Sequence, residues 1–255
     1  MAKNNAGKNE RSRAARQAAE IRREAAKKEA RRRNLAVSAV VLVAIVAIVG
    51  IALAIQSGRD STGASATPPA GAVGDFGVPR GDADAPVEIT IFEDFMCPVC
   101  GQLEALTRDF LEPAVDNGDV HVIYRPVAFL DRYSNGTKYS TRSVNALAAV
   151  LDQSGPEVAA AFHDLLFDNQ PQEGTDGLSD EKLIDLAVEA GADRDTISAA
   201  IEDRAFGQWV VNATDQASKD GVTGTPTVEI DGERAEGSIA EVAAAMKAAI
   251  EAASK

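Results

Sequence analysis

The chain has 255 residues, 45% of them hydrophobic, and a formal net charge of −13. That apolar share excludes a chain disordered throughout, and two cysteines exclude a disulfide-stapled scaffold. With only two histidines, a structural zinc site would need every Cys and His the chain has. The charge is unevenly spread: residues 1–34 carry 12 Lys and Arg against 4 acids, whereas residues 35–255 carry 14 against 35. The two regions must face different surroundings, and the acidic bulk disfavours nucleic acid as a partner.

In chain order, the basic segment 1–34 is rich in Ala, Arg, Glu and Lys, and reads as a solvated helix without an apolar stripe. Leu35 to Ile55 then runs 21 residues without a charge. At about 1.5 Å per residue this is a rod of roughly 31 Å, the thickness of a bilayer's hydrocarbon. It predicts a single transmembrane helix. Arg31, Arg32 and Arg33 abut it on one side and only Arg59 stands nearby on the other, so the N-terminus is expected in the cytoplasm and the rest outside. Ala64-Ser65-Ala66 resembles a cleavage site, but it lies 11 residues beyond an apolar run longer than a signal peptide's, which favours an uncleaved anchor. Residues 56–86, rich in Gly, Ser, Ala, Thr and Pro, read as a flexible linker.

A folded domain is expected over 87–255. Val87 to Phe92 alternates as a strand; a helical pattern through Leu103, Leu106, Phe110 and Leu111 follows, then Asn117-Gly118 and a second strand, Val120 to Arg125. Helical patterns fill about 138–220: one through Val144, Leu147 and Leu151, another through Val158, Phe162 and Leu166. A third is capped by Ser179, a fourth by Asp193, and a stripe of Phe206, Val210, Ala213 and Ala217 follows. Asp231-Gly232 predicts a hairpin turn, and Ser238 with Glu241 a capping box for a final helix. The order β-α-β, helices, β-β-α predicts α/β architecture.

The only two cysteines, Cys97 and Cys100, stand at the predicted strand-to-helix junction in the sequence Cys97-Pro98-Val99-Cys100. A helix N-terminus offers free N–H groups and a partial positive charge, both favouring a thiolate. Cys97 is therefore the expected nucleophile, with Cys100 one turn on and within reach to close a disulfide with it. A purely structural bridge would gain little from so short a loop. A metal site would have to recruit His121 from a strand and His163 from a helix, so no metal is expected.

These cysteines lie in Phe92-Glu93-Asp94-Phe95-Met96-Cys97-Pro98-Val99-Cys100, which, with Phe162 to Gln170 and Gly221-Val222-Thr223-Gly224-Thr225-Pro226-Thr227, resembles the DsbA-like branch of the thioredoxin superfamily. The resemblance runs from Val87 to the C-terminus. It implies a thioredoxin fold with an inserted helical subdomain, preceded here by the membrane anchor. It also implies thiol–disulfide exchange on exported cysteine-containing proteins, without an added cofactor. By the same resemblance Pro226 would be a cis proline opposite the redox pair, and Thr225 would pair its backbone with the substrate. Glu93 and Asp94 become candidates for relaying a proton to or from Cys100. The expected function is oxidation, with a membrane quinone-linked oxidase regenerating the disulfide. A reductase or isomerase on the same fold is the nearest alternative, and a non-catalytic binding module the alternative of another class.

Overall fold

The computed structural model describes residues 64–254. The basic segment 1–34, the predicted membrane helix 35–55 and residues 56–63 of the predicted linker lie outside these. Among the described residues, no helix is long and apolar enough to cross a membrane.

Regular structure begins earlier than predicted, and this corrects the linker boundary at residue 86. Val78–Arg80 forms strand β1, and Val73 and Gly77 form an isolated bridge just before it. The segment is held by packing that no local periodicity announces. Val78 is fully buried, Phe76 lies 6.0 Å from the Trp209 ring, and the Trp209 indole N–H donates to the Asp75 carbonyl at 2.8 Å. A strand of three residues is too short to alternate visibly.

Strand β2 (Val87–Glu93), helix α1 (Pro98–Asp116) and strand β3 (Val120–Pro126) follow. β2 and β3 pair in parallel, from Val87 opposite Val120 to Glu93 opposite Pro126. Parallel strands are covered on both faces, which accounts for the unbroken burial of Val120 to Tyr124. The buried face of α1 is Cys100, Leu103, Glu104, Thr107, Leu111 and Ala114. Leu106 lies off that face and is 49% exposed, so it does not belong to the apolar stripe predicted for it.

The inserted block is helical. After a 3-10 turn (Asp131–Tyr133), helix α2 (Tyr139–Asp168) is interrupted at Gly155, whose φ of 81° only glycine adopts freely, and which Pro156 follows. The two helices predicted there thus meet end to end at a kink. Helix α3 (Asp180–Ala190) starts on Ser179, whose hydroxyl accepts the Lys182 N–H. Helix α4 (Arg194–Glu202) starts on Asp193, which accepts the N–H groups of Asp195 and Thr196. Helix α5 (Gly207–Lys219) buries Trp209, Val210, Ala213 and Ala217.

The chain returns through β4 (Thr227–Ile230) and β5 (Glu233–Arg234), joined at Asp231-Gly232, and ends in helix α6 (Ile239–Ala253), started by the reciprocal Ser238–Glu241 box. The sheet order is β1-β3-β2-β4-β5, with β4 antiparallel to β2. This order puts β2 at the centre. Its last residues open onto α1 in the middle of the sheet edge, with the start of β4 alongside, Phe92 opposite Thr227. α1 packs on α6, while α2 packs on α3, α4 and α5.

Trp209 fastens the early segment to the inserted block, so Trp209→Ala should lower stability by about 3–5 kcal/mol. Urea unfolding of the variant should show a correspondingly lower midpoint.

Candidate active site

The site is built where β2 ends. Glu93 closes the strand, and Asp94 turns the chain into α1. The Asp94 carbonyl accepts the Cys97 N–H at 2.8 Å. One carboxylate oxygen of Asp94 accepts the Met96 N–H at 2.9 Å and the Ser140 hydroxyl at 2.7 Å; the other accepts the Leu130 N–H at 2.9 Å. Asp94 therefore ties the redox turn to α2 and to the loop after β3. Burial raises its pKa, the hydrogen bonds pull it back, and the Cys97 charge adds to the rise, giving about 6.

Cys97 is the N-cap of α1, in extended conformation, with Pro98 in the first turn. Its carbonyl accepts the N–H groups of Cys100 and Gly101, which begins the helix beneath its side chain. Both cysteines are free thiols and both are buried, at 6% and 3% exposure. Their ionisations are pushed apart. The Cys100 thiol hydrogen bond favours the Cys97 thiolate most, burial opposes it, and the Thr225 side chain and the N–H groups of Cys100 and Val99 add support. The Cys97 pKa falls to about 6. Burial, and then the neighbouring Cys97 sulfur, push Cys100 well above the ordinary thiol range.

Opposite the pair, the Thr225–Pro226 peptide is cis, and the Thr225 carbonyl accepts the Cys97 thiol at 3.3 Å. Thr223 and Gly224, just before it, are exposed. Beside Cys97 opens a groove of about 590 Å³ with Pro98, Val99, Phe129, Leu130 and Val222 among its walls, and Arg132 and Glu173 as its charged lining.

The structure thus brings Cys97, Cys100, Thr225, Pro226 and Asp94 to one place, with Glu93 buried behind them. Sequence reasoning missed Gln170, which follows α2. Its amide N–H donates to the carbonyls of Cys97 (2.9 Å) and Phe95 (3.3 Å), strapping the inserted block to the redox turn. Gly101 makes room for it: a Cβ there would lie 2.4 Å from the Gln170 oxygen. The available signal was a glycine directly after the second cysteine. His121 lies beside Glu88, away from the pair, whereas His163 faces Glu93 at 2.7 Å. Glu104, His163 and Asp164 bring donor atoms within 4.8 Å of one another. Arg108 and Arg80 already neutralise these carboxylates, at 3.3 Å from Glu104 and 2.9 Å from Asp164, which makes the group an ion-pair network rather than a ligand set.

A mixed sheet with a dithiol at the start of its first long helix and a cis proline facing it defines a thioredoxin-fold protein with a redox-type centre. Residues 76–252 match the thioredoxin family profile, and the chain belongs to that family. Among solved structures it is similar to reduced DsbA from Mycobacterium tuberculosis, at 31% identity, with 71% of this chain and 98% of that one covered and a TM-score of 0.58. It is also similar to MdbA from Corynebacterium diphtheriae, a thiol-disulfide oxidoreductase, at 27% identity, with 74% and 95% covered and a TM-score of 0.58. A stretch of 158 residues is 34% identical to the serine/threonine-protein kinase PknE of Mycobacterium tuberculosis. That match takes in 60% of this chain but only 28% of the kinase, so this chain corresponds to under a third of that relative's length. With the solved oxidoreductases the chain shares the fold, which is the framework of a protein disulfide oxidoreductase.

Because folding lowers the Cys97 pKa, the stabilisation it gives the reduced protein is complete above the ordinary thiol value of 9.0 and disappears as pH falls through about 6. The stability of the reduced form relative to the oxidised form should therefore rise with pH across that window, read as paired denaturation curves. Thiolate absorbance should titrate near pH 6, and Cys100→Ala, which removes the leading hydrogen bond, should move that midpoint up.

Proposed function

We propose that this chain is a membrane-tethered, extracytoplasmic thiol–disulfide oxidoreductase that oxidises cysteines of exported proteins. The observation that carries the reading is the placement of Cys97 at the N-terminus of α1, with Cys100 one turn on and the cis Thr225–Pro226 peptide facing its sulfur. A client thiolate attacks Cys97 Sγ in the Cys97–Cys100 disulfide; that bond breaks, and Cys100 departs with the electron pair and takes up a proton. A second client thiolate then attacks the client sulfur of the mixed disulfide and expels Cys97 as a thiolate, which at a pKa of about 6 is a good leaving group. The client loses two protons and two electrons; the enzyme keeps the electrons and one proton, and the other proton goes to solvent.

The direction follows from the same ionisation. A stabilised thiolate stabilises the reduced enzyme and makes its disulfide the stronger oxidant. Thioredoxin's reactive cysteine ionises at about 7 and DsbA's at about 3.5, with potentials near −270 and −120 mV respectively, and the lowered Cys97 pKa supports the oxidising direction. The exposed Thr223 and Gly224 and the half-buried Thr225 support pairing with an extended client segment, and the groove beside Cys97 would take its apolar side chains. The uncharged run 35–55 and the arginines before it support the anchor and its orientation, with the oxidised state restored by a quinone-linked oxidase in the same membrane.

Cys97→Ser should abolish exchange with a cysteine peptide, and Cys100→Ser should accumulate the mixed disulfide. Equilibration with glutathione should give a potential well above thioredoxin's value of about −270 mV. A value at or below it would make the protein a reductase instead. After brief reduction of intact cells, a membrane-impermeant thiol reagent should label Cys97.

A further inference from the structure

The groove beside Cys97 carries two charged side chains that the exchange steps leave without a task. The loop after β3 supplies Phe129, Leu130 and Arg132 to its wall, and the loop before β4 supplies Val222, Thr223 and Gly224. β3 and β4 flank β2 on opposite sides, so the groove is lined from both, with Cys97 where β2 gives way to α1. The second charge, Glu173, comes from the segment after α2, whose Gly174 N–H donates to the Tyr133 carbonyl at 2.7 Å.

Arg132 stands apart from the other arginines. Among the described residues each of them except Arg125 holds a carboxylate, and Arg125 lies against the Phe76 and Phe92 rings. Arg132 is exposed and is paired with no acid among the described residues, Glu173 included. Residues 35–255 nevertheless carry 35 acids against 14 Lys and Arg. On such a surface an added glutamate is the rule, and an uncompensated guanidinium is the exception. What holds Arg132 is the Tyr133 ring, with the guanidinium carbon 4.7 Å from its centroid. Stacking of this kind restrains a guanidinium and leaves its N–H donors free for a carboxylate.

The turn that displays Arg132 is tied to the redox centre. The Leu130 N–H donates to Asp94 at 2.9 Å, and the Tyr133 N–H to the Leu130 carbonyl at 2.8 Å. Asp131 accepts the Thr141 N–H at 2.9 Å and the Thr141 hydroxyl at 2.6 Å. Asp94 also accepts the Met96 N–H in the redox turn, so one carboxylate sets the position of both turns. A client segment lying along Thr223 to Thr225 would be an extended strand with its cysteine aimed at Cys97. Residues next to that cysteine point away, and those two positions off return to its side, roughly 7 Å along the strand. A side chain two positions off therefore enters the groove that Arg132 lines.

We propose that Arg132 is a specificity-determining residue that recognises a carboxylate two positions from the reacting cysteine, so that the enzyme favours exported cysteines with an acidic residue at that spacing. The proposal rests on the oxidoreductase reading and adds a sequence preference to it. Apolar walls take any apolar side chain, whereas a restrained guanidinium discriminates by charge and can bind a carboxylate through two parallel hydrogen bonds. It also offsets the repulsion that an acidic client segment meets from the domain's excess of acids.

The test uses the full-length reduced protein and peptides whose single cysteine is joined to 2-thiopyridine as a disulfide. The Cys97 thiolate attacks the peptide sulfur, the bond to the pyridine sulfur breaks, and the released thiopyridone is read by absorbance in rapid mixing. Three peptides carry Glu, Gln or Lys two positions to either side of the cysteine, and a fourth carries Glu in the adjacent positions. The readout is the rate with Glu divided by the rate with Gln, so that each peptide's own reactivity cancels when proteins are compared. At low salt this ratio should fall about threefold from wild type to Arg132→Gln, as for an exposed ion pair. It should fall further in Arg132→Glu, where the Lys peptide should gain on the Gln peptide. Raising the salt should bring the wild-type ratio toward that of Arg132→Gln. A ratio unchanged in both variants overturns the proposal, and so does an equal preference for Glu in the adjacent positions. Failure of the oxidoreductase reading is distinct, since thiopyridone release would then persist in Cys97→Ser.

Discussion

A thiolate at Cys97 and a thiol at Cys100, two buried sulfurs one helical turn apart, depend on where the backbone places its N–H groups. Cys97 sits where α1 has not yet paired its first donors, so the positive end of the helix and the Cys100 S–H converge on its sulfur. Cys100, inside the first turn, gets burial and a negative neighbour instead. The same two atoms in a regular helix interior would be near-equivalent. Chemistry at this site is a consequence of the strand ending at residue 93 and the helix beginning at 98.

Everything else nearby holds that junction still. Asp94 clamps the turn from below through three donors, Gln170 grips the carbonyls of Phe95 and Cys97, and the register of β4 against β2 carries Thr225 to the open side of the sulfur. Two of these clamps come from the inserted helices, Ser140 at the start of α2 and Gln170 after its end. The insertion is therefore part of the active site's scaffold as well as a cover for the sheet. The turn before α1 is too short to fix its own conformation, and a mobile Cys97 would lose the aligned donors that ionise it.

The features legible in the sequence are those that act locally. The Cys-Pro-Val-Cys junction, the caps at Ser179, Asp193 and Ser238, and the hairpin at Asp231-Gly232 are each settled by residues within a few positions of one another, and the structure forms them at those positions. What was not legible depends on distant partners. The segment 73–80 has no periodicity of its own and is ordered by Trp209 and by pairing with β3. Leu106 satisfies a helical pattern by spacing, yet the face buried against the sheet and α6 is set by Cys100, Leu103 and Leu111. Gln170 and His163 are ordinary helix and turn residues until the fold brings them beside residues more than 65 positions away.

The pair Glu93 and Asp94 shows how far one position can divide two chemically similar groups. Successive residues at a strand end point to opposite sides. Asp94 therefore turns toward the loop, where backbone N–H groups and a hydroxyl saturate it and it serves the conformation of the turn. Glu93 turns inward to the buried His163 imidazole, itself packed against Tyr124 and Phe95, where a carboxylate is stable only with a cation or a proton to share. From the sequence both are acids preceding a redox motif and neither has priority. Once the backbone is in place, Asp94 is a strut held by three donors, and Glu93 is the partner of a buried imidazole.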